Sequence, residues 1–398
     1  MIGVDAESFL VIVSAAAVAA LVSALVSPRL LLPVVVVELL LGIAIGPQGA
    51  GLAEVDSATR FFSSLGLGML FFFAGYEIDF ERIKGRPVAL AAGGWILSLG
   101  IAYGLAGILF VGDVVESDLY TGSAMATTAI GTLIPILHDT GQLRTRFGTF
   151  LLGAGAMGEF GPILLVTMVL TSRHPLHEAL VLVAFIALAV FTGIVAVRSA
   201  PRGWRIVERT LEGSGQLGVR LAVLLIFGLV ALATELGLDL LLGGFVAGMI
   251  TRLALRGREV AIFESKLTAI GYGFLIPFFF VVSGMGFDVV GLFTSAGAMA
   301  KLPLFVAGFL IVRGVPALLF YRRDLGLRDR FALGFFCATE LPLVVAITTI
   351  ALAHNDMRAS TATALVGAAI ISTLVYPLIG LGLRRRRAAG RTEILEVV

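Results

Sequence analysis

Charge is what this sequence has least of. Asp, Glu, Lys and Arg make up 14% of its 398 residues, while 58% are hydrophobic. An ordinary soluble domain carries roughly 25% charged side chains. With a mean hydropathy of +1.02, the chain cannot cover a globule of its size with water-compatible groups, and a soluble enzyme is excluded. The single cysteine, Cys337, excludes an internal disulfide and a cysteine-based metal site. Histidine is equally sparse. His138, His174, His177 and His354 lie near the ends of apolar runs, without the grouping a membrane enzyme or a metal centre needs. A formal net charge of +2 leaves no footprint for nucleic acid. The opening residues MIGVDAESFL hold Asp5 and Glu7 but no Lys or Arg, so a cleaved signal peptide is not expected.

What remains is apolar and comes in long runs, the mark of an integral membrane protein. Crossing the hydrocarbon core takes about 20 largely apolar residues. On that rule thirteen helical spans are expected, at roughly 8–27, 30–46, 61–78, 88–111, 119–137, 147–171, 176–198, 217–236, 238–253, 263–284, 298–320, 331–352 and 360–382. The second and ninth are short for a straight crossing. Cytoplasmic connections collect Lys and Arg. Alternate connections here hold all 29 of them except Arg60, Arg173, Lys301, Arg358 and the intraspan Arg313. The expected protein is therefore multi-pass in the cell (inner) membrane, its N-terminus outside and its C-terminus cytoplasmic. The last span ends near residue 382 and the sequence at Val398, so a single transmembrane domain over 1–398 with no soluble regulatory domain is expected.

The two halves resemble each other in order. LLGIAIG (40–46) echoes LLGGFVAG (241–248). FFFAGYEID (71–79) echoes FFFVVSGMGFD (278–288), and GAGAMGEFGP (153–162) echoes GAAIISTLVYP (367–377). Each pair is seven spans apart. Seven is odd, so the halves, roughly 8–171 and 217–382 with 176–198 as a linker helix, are expected to be inverted repeats, a plan common among secondary transporters.

Four charges fall well within spans: Glu38, Glu159, Arg313 and Glu340. A charge at the bilayer centre costs about 2.5–3.5 kcal/mol on insertion scales, so such residues face the protein interior and mark pathways, or else pair to pin two helices. Glu159 is the sharpest case. Gly153, Gly155, Gly158 and Gly161 surround it, and Pro162 removes a backbone donor and frees a carbonyl one turn earlier. A carboxylate beside free carbonyls is a hard-oxygen site for a small cation. Burial disfavours its charged form, so it can hold a proton instead. Span 5 carries Thr127, Thr128, Gly131, Thr132 and Pro135, and span 12 carries Thr339, Glu340 and Pro342. Both have the content of an interrupted helix lining a cavity. Arg313 needs a partner, with Glu159 and Glu340 as candidates. Glu38 fits a packing role or a pathway role. Glu77 and Asp79 read as a solvated helix end, and His138 and Asp139 as interfacial.

LLPVVVVELLLGIAIGPQG followed by LGLGMLFFFAGYEIDF resembles the opening of the second large family of monovalent cation:proton antiporters. The glycine-rich Gly42, Gly46, Pro47 and the ending Phe72, Ala74, Gly75, Glu77, Asp79 carry the likeness. TTAIGTLIPILHDTG is similar to that family's Thr-bearing discontinuous helix, and LIVRGVPALL to the helix with its Lys or Arg. The resemblance implies the sodium/proton antiporter fold, with two crossing discontinuous helices. It implies a dimer-forming scaffold of spans 1–3 and 8–10 and a core of spans 4–6 and 11–13. It implies Na⁺ or K⁺ and H⁺ as transported ions, no cofactor, and elevator-type exchange. Thr128 then matches the cation-site Thr, Glu159 the ion-binding acid and Arg313 the basic residue, with Thr127 beside Thr128 and Glu340 as supporting charge. The family usually has Asp at the acid position, preceded by Asp, Asn or Gln. Glu159 after Gly158 departs from both, and lack of the two-acid form implies electroneutral exchange. Two other readings stand beside this one: a sodium-coupled organic-anion symporter of the same architecture, and a transport-inactive membrane sensor or scaffold.

Overall fold

A computed structural model describes residues 5–26, 33–78, 84–165, 183–185, 187–188, 191–195, 198, 210, 213–236, 238, 240–255 and 260–388. Every regular element among them is helical: α1 (Ala6–Val26), α2 (Val34–Ile45), α3 (Ser57–Glu77), α4 (Arg86–Val111), α5 (Asp118–Met125), α6 (Ile130–Asp139), α7 (Arg146–Leu165), α8 (Leu217–Glu235), α9 (Leu240–Ala254), α10 (Ala261–Met285), α11 (Val289–Thr294), α12 (Ala296–Phe320), α13 (Leu327–Cys337), α14 (Pro342–Ala353) and α15 (Ala359–Ala388). Among the described residues, nine helical stretches are long and apolar enough to cross a membrane, counting Leu327–Ala353 as one. The second and ninth expected spans are the short α2 and α9. Most of the seventh, 176–198, lies outside the described residues, as do Asp79 and the side chains of Pro135, His138 and Asp139.

The helices fall into two compact units. The first spans Met1–Ala16, Ala53–Asp79 and Ile163–Val282. Its centre is α3 laid directly on α9. A Cβ at Gly75 would strike the Phe245 carbonyl, and one at Gly248 the Phe72 carbonyl. The missing side chains let the two backbones touch, as small residues do between membrane helices. Phe71, Phe72 and Phe245 are fully buried around this contact. A π-turn at Gly271–Leu275 interrupts α10, and the Leu275 carbonyl lies where a Cβ on Gly66 would stand. Glu77, expected at a solvated helix end, is instead enclosed. Its Oε2 is buried without a hydrogen bond among the described residues, and Arg252 is its charged neighbour. The reason is that α3 packs against α9 down to its last turn.

The second unit spans Ala17–Leu52, Phe80–Pro162 and Ser283–Val398. It holds α4–α7 as far as Pro162 and α11–α15, and also α2, which the family resemblance groups with α3. α2 lies against the last residues of α10, which fall in this unit: a Cβ at Gly284 would strike the Leu39 carbonyl, and one at Gly46 the Cα of Met285. Polar ties hold the helix ends. Asp324 accepts from Arg86 Nε and Nη2, both at 2.8 Å, and from Arg146 Nη2 at 3.2 Å. Arg384 donates to Asp329 at 2.7 Å and to Gln142 at 2.8 Å. Arg358 reaches Asp113 at 2.8 Å and Glu116 at 3.1 Å. Ser117 caps α5 and Ser295 caps α12 by accepting backbone N–H groups.

Candidate functional site

The interruptions expected in spans 5 and 12 are present, and they meet. α5 stops at Met125 and α6 starts at Ile130; α13 stops at Cys337 and α14 starts at Pro342. Between them the backbone runs without regular structure, and each interruption supplies the partners the other needs. Ala129 N–H donates to the Thr339 carbonyl at 2.8 Å, and Thr128 Oγ1–H to the Cys337 carbonyl at 2.6 Å. Trp95 Nε1 donates to the Ala126 carbonyl at 3.1 Å. Buried backbone groups in apolar surroundings must be paired, and here tertiary contacts replace the lost helical bonds.

α7 joins through a proline. Pro162 has no N–H, so the carbonyl four residues back, that of Gly158, lacks its helical donor. Thr128 N–H takes that place at 2.9 Å. The same device recurs in α12. Pro316 leaves the Val312 carbonyl without a helical donor, and Ser98 Oγ–H donates to it at 2.9 Å.

Arg313 follows Val312 and is buried, 5% exposed. Its hydrogen bonds among the described residues all go to uncharged oxygens: Nε to Thr128 Oγ1 at 3.0 Å, Nη1 to Ser98 Oγ at 3.1 Å, Nη2 to the Ala154 carbonyl at 3.1 Å. Neither Glu159 nor Glu340, the partners expected from sequence, accepts one of these three. Hydrogen bonds to a charged group contribute about 1.5–3 kcal/mol each, which offsets the cost of enclosing the guanidinium. Its Nη2, with Thr128 Oγ1, fills the space where a Cβ on Gly158 would stand. That is the physical reason for glycine immediately before the acid.

Two buried acids belong to the same unit. Glu159 is buried on α7, 3% exposed, one residue after the Gly158 carbonyl that holds Thr128. Glu340 is fully buried. Its Oε2 accepts from Thr127 Oγ1 at 3.2 Å, and its Oε1 has no hydrogen-bond partner among the described residues. Its backbone is held by Ser372, which bonds Glu340 N at 3.1 Å. Glu340 lies two residues before the start of α14, where the helix dipole presents positive charge; Arg313 bonds the Thr128 hydroxyl that holds the Cys337 carbonyl at the negative end of α13. Each charge therefore opposes a helix end. Glu38 is buried on α2 with Oε2 unbonded, and no hydrogen bond joins it to this group among the described residues.

The sequence reading named Thr127, Thr128, Glu159, Arg313 and Glu340. All five are buried in the second unit, the Thr128–Arg313 and Thr127–Glu340 pairs in direct contact. It missed Ser98, Trp95 and Ser372, which carry the surrounding polar contacts. The one signal for Ser98 was Pro316, which frees a carbonyl on a facing helix. The arrangement brings the Arg313 guanidinium, the Thr127 and Thr128 hydroxyls, the Glu340 carboxylate and helix-end carbonyls together, with Glu159 buried on the adjoining turn of α7. Such oxygen donors suit a small hard cation or a proton.

A family model described as "Sodium/hydrogen exchanger, transmembrane" matches residues 16–380. Among curated proteins, the chain is 29% identical over 374 residues to the putative Na(+)/H(+) antiporter YjbQ of Bacillus subtilis (strain 168), covering 88% of this chain and 59% of that one. It is 27% identical over 275 residues to the Na(+)/H(+)-K(+) antiporter GerN of Bacillus cereus, covering 67% of this chain and 68% of that protein. The chain thus spans about three fifths of the length of the first of these relatives. Among solved structures, the sodium proton antiporter MjNhaP1 from Methanocaldococcus jannaschii at pH 8 has the same fold, with a TM-score of 0.60, 18% identity and 96% coverage of both chains.

Proposed function

The chain belongs to the sodium/hydrogen exchanger family of transmembrane proteins, and on that premise we propose that it is a secondary active antiporter exchanging a monovalent cation, Na⁺ or K⁺, for H⁺. The observation that carries the reading is the junction of the two helix interruptions, through Ala129 with Thr339 and Thr128 with Cys337, with Glu159 on the adjoining turn of α7. Cation and proton compete for the Glu159 carboxylate, with Thr127 and Thr128 contributing oxygens to the cation. Binding of one requires release of the other, and mutual exclusion is the coupling. Arg313 keeps its charge throughout, and Gly158 leaves a single acid at that point of α7, which supports electroneutral one-for-one exchange. Glu340 is a supporting charge and Glu38 a pathway group.

The two halves act as inverted repeats, and the bundle holding the site carries it across the membrane in elevator-type alternating access. A homodimer in the cell membrane, its N-terminus outside and its C-terminus cytoplasmic, anchors the rest. The names of the relatives, Na⁺/H⁺ and Na⁺/H⁺-K⁺ antiporters, support the substrate class. A sodium-coupled organic-anion symporter would need Arg313 to meet a carboxylate, but its Nε, Nη1 and Nη2 are engaged by Thr128, Ser98 and Ala154.

The test is proton efflux from proteoliposomes reported by an interior dye on adding Na⁺, K⁺ or Li⁺. Efflux with one of these ions, unchanged by a voltage clamp, is expected. A transport-inactive sensor or scaffold would give none, and efflux that follows the clamp would overturn electroneutrality.

A further inference from the structure

At the foot of α4 and α12 an open pocket of about 530 Å³ is lined by Arg86, Leu90, Leu319, Phe320, Arg322 and Arg323. Its construction is two-sided. Arg86 and Leu90 are four residues apart and share a face of α4. Leu319 and Phe320 end α12, and Arg322 and Arg323 follow in the turn. Arginines thus form the rim, and three apolar side chains continue along the spans. Phe320 is pressed against α4 because Gly93 has no side chain; a Cβ there would meet its ring at 2.7 Å. Leu319 is 46% exposed beside the rim.

The charges are not balanced. Asp324 is one negative charge shared between Arg86 and Arg146, through Arg86 Nε and Nη2 and Arg146 Nη2. Those bonds fix the Arg86 guanidinium at the pocket edge and leave its Nη1 for a ligand. Arg322 and Arg323 are exposed and have no acidic partner among the described residues.

We propose that this pocket binds the headgroup of an anionic phospholipid, its phosphate on Arg86, Arg322 and Arg323 and its acyl chain along Leu90, Leu319 and Phe320. Arginine forks match phosphate oxygens bidentately. Basic pockets between membrane helices take anionic headgroups. A free phosphate would use the rim but gain nothing from the apolar wall, which is why the occupant is a lipid.

The full-length protein in detergent is titrated with phosphatidylglycerol and with phosphatidylcholine, and bound lipid is counted by native mass spectrometry. Preference for phosphatidylglycerol is expected. The double variant Arg322→Gln/Arg323→Gln, with both sites exposed and the fold intact by melting temperature, loses about 25-fold in affinity, at roughly fivefold per arginine. Arg220→Gln, an exposed arginine of the first unit, leaves affinity unchanged. Millimolar inorganic phosphate fails to displace the lipid, and Leu319→Gln weakens long-chain phosphatidylglycerol but not its short-chain form. Equal binding of the two lipids, an unaffected double variant, an equal loss in Arg220→Gln, or full displacement by phosphate would each overturn the site.

Discussion

The guanidinium of Arg313 stands in the space that a side chain on Gly158 would occupy. A Cβ at 158 would meet Arg313 Nη2 and Thr128 Oγ1. An arginine held in this pose and an acid or amide at 158 therefore exclude each other. Gly158→Ala is expected to destabilise the protein by about 1–3 kcal/mol, the cost of overfilling a packed site. In combination with Arg313→Lys, whose end group is narrower, the cost should fall below the sum of the two singles. Melting temperatures of the four proteins in detergent check this cycle.

Thr128 is held twice: its N–H by the carbonyl Pro162 frees, its hydroxyl between Arg313 and the Cys337 carbonyl. Thr128→Val leaves a buried guanidinium donor and a carbonyl unmet, at about 1–3 kcal/mol. Thr128→Ser keeps both bonds and should be near wild type in stability. Pro162→Ala restores a helical donor for the Gly158 carbonyl and competes with Thr128 N–H. Losing one such bond is worth about 1 kcal/mol, so the apparent KM for cation should rise about fivefold with little loss of folded protein.

Glu340 opposes the positive start of α14 and accepts from Thr127. Glu340→Gln keeps an oxygen for Thr127 and should fold. Glu340→Ala empties a fully buried site and removes that oxygen, and is expected to cost about 2–4 kcal/mol more in thermal stability. Equal melting temperatures for the two variants would remove Glu340 from the packed core of the site.

The Arg86 and Arg146 guanidiniums hold the Asp324 carboxyl below the usual aspartate range. A depressed folded pKa contributes stability that is complete above the ordinary value of about 3.9 and is lost as pH falls through the lower folded value. Asp324→Asn should therefore lower the melting temperature by a constant amount between pH 5 and 9, with the difference closing only in strong acid. Exchange in that range should keep its pH profile. A stability difference that varied across neutral pH would contradict the assignment.

The membrane spans were legible because length and hydropathy alone decide them: Arg86–Val111 and Ala296–Phe320 fall within two residues of their expected bounds. Both interruptions were legible because Thr, Gly and Pro next to apolar runs leave few other ways to satisfy the backbone. The partners were not. Arg313 was expected against a carboxylate; its charge acts on Glu340, but its hydrogen bonds go to two hydroxyls and a carbonyl on three other elements, a choice set by tertiary packing. The π-turn in α10 and the short α11 had no signal above the apolar background. Glu77 was misread for the same reason: sequence marks the end of a hydrophobic run, not what another helix lays over it.

The proposed exchange assigns the shared proton and cation site to Glu159, and Glu159→Gln is its most direct test, since the amide keeps the size of the side chain but cannot trade a proton for a cation. In proteoliposomes holding equal amounts of folded protein, wild type should release protons on addition of Na⁺ or K⁺, and Glu159→Gln should release none. Cation-driven proton release by Glu159→Gln at the wild-type rate would contradict the account.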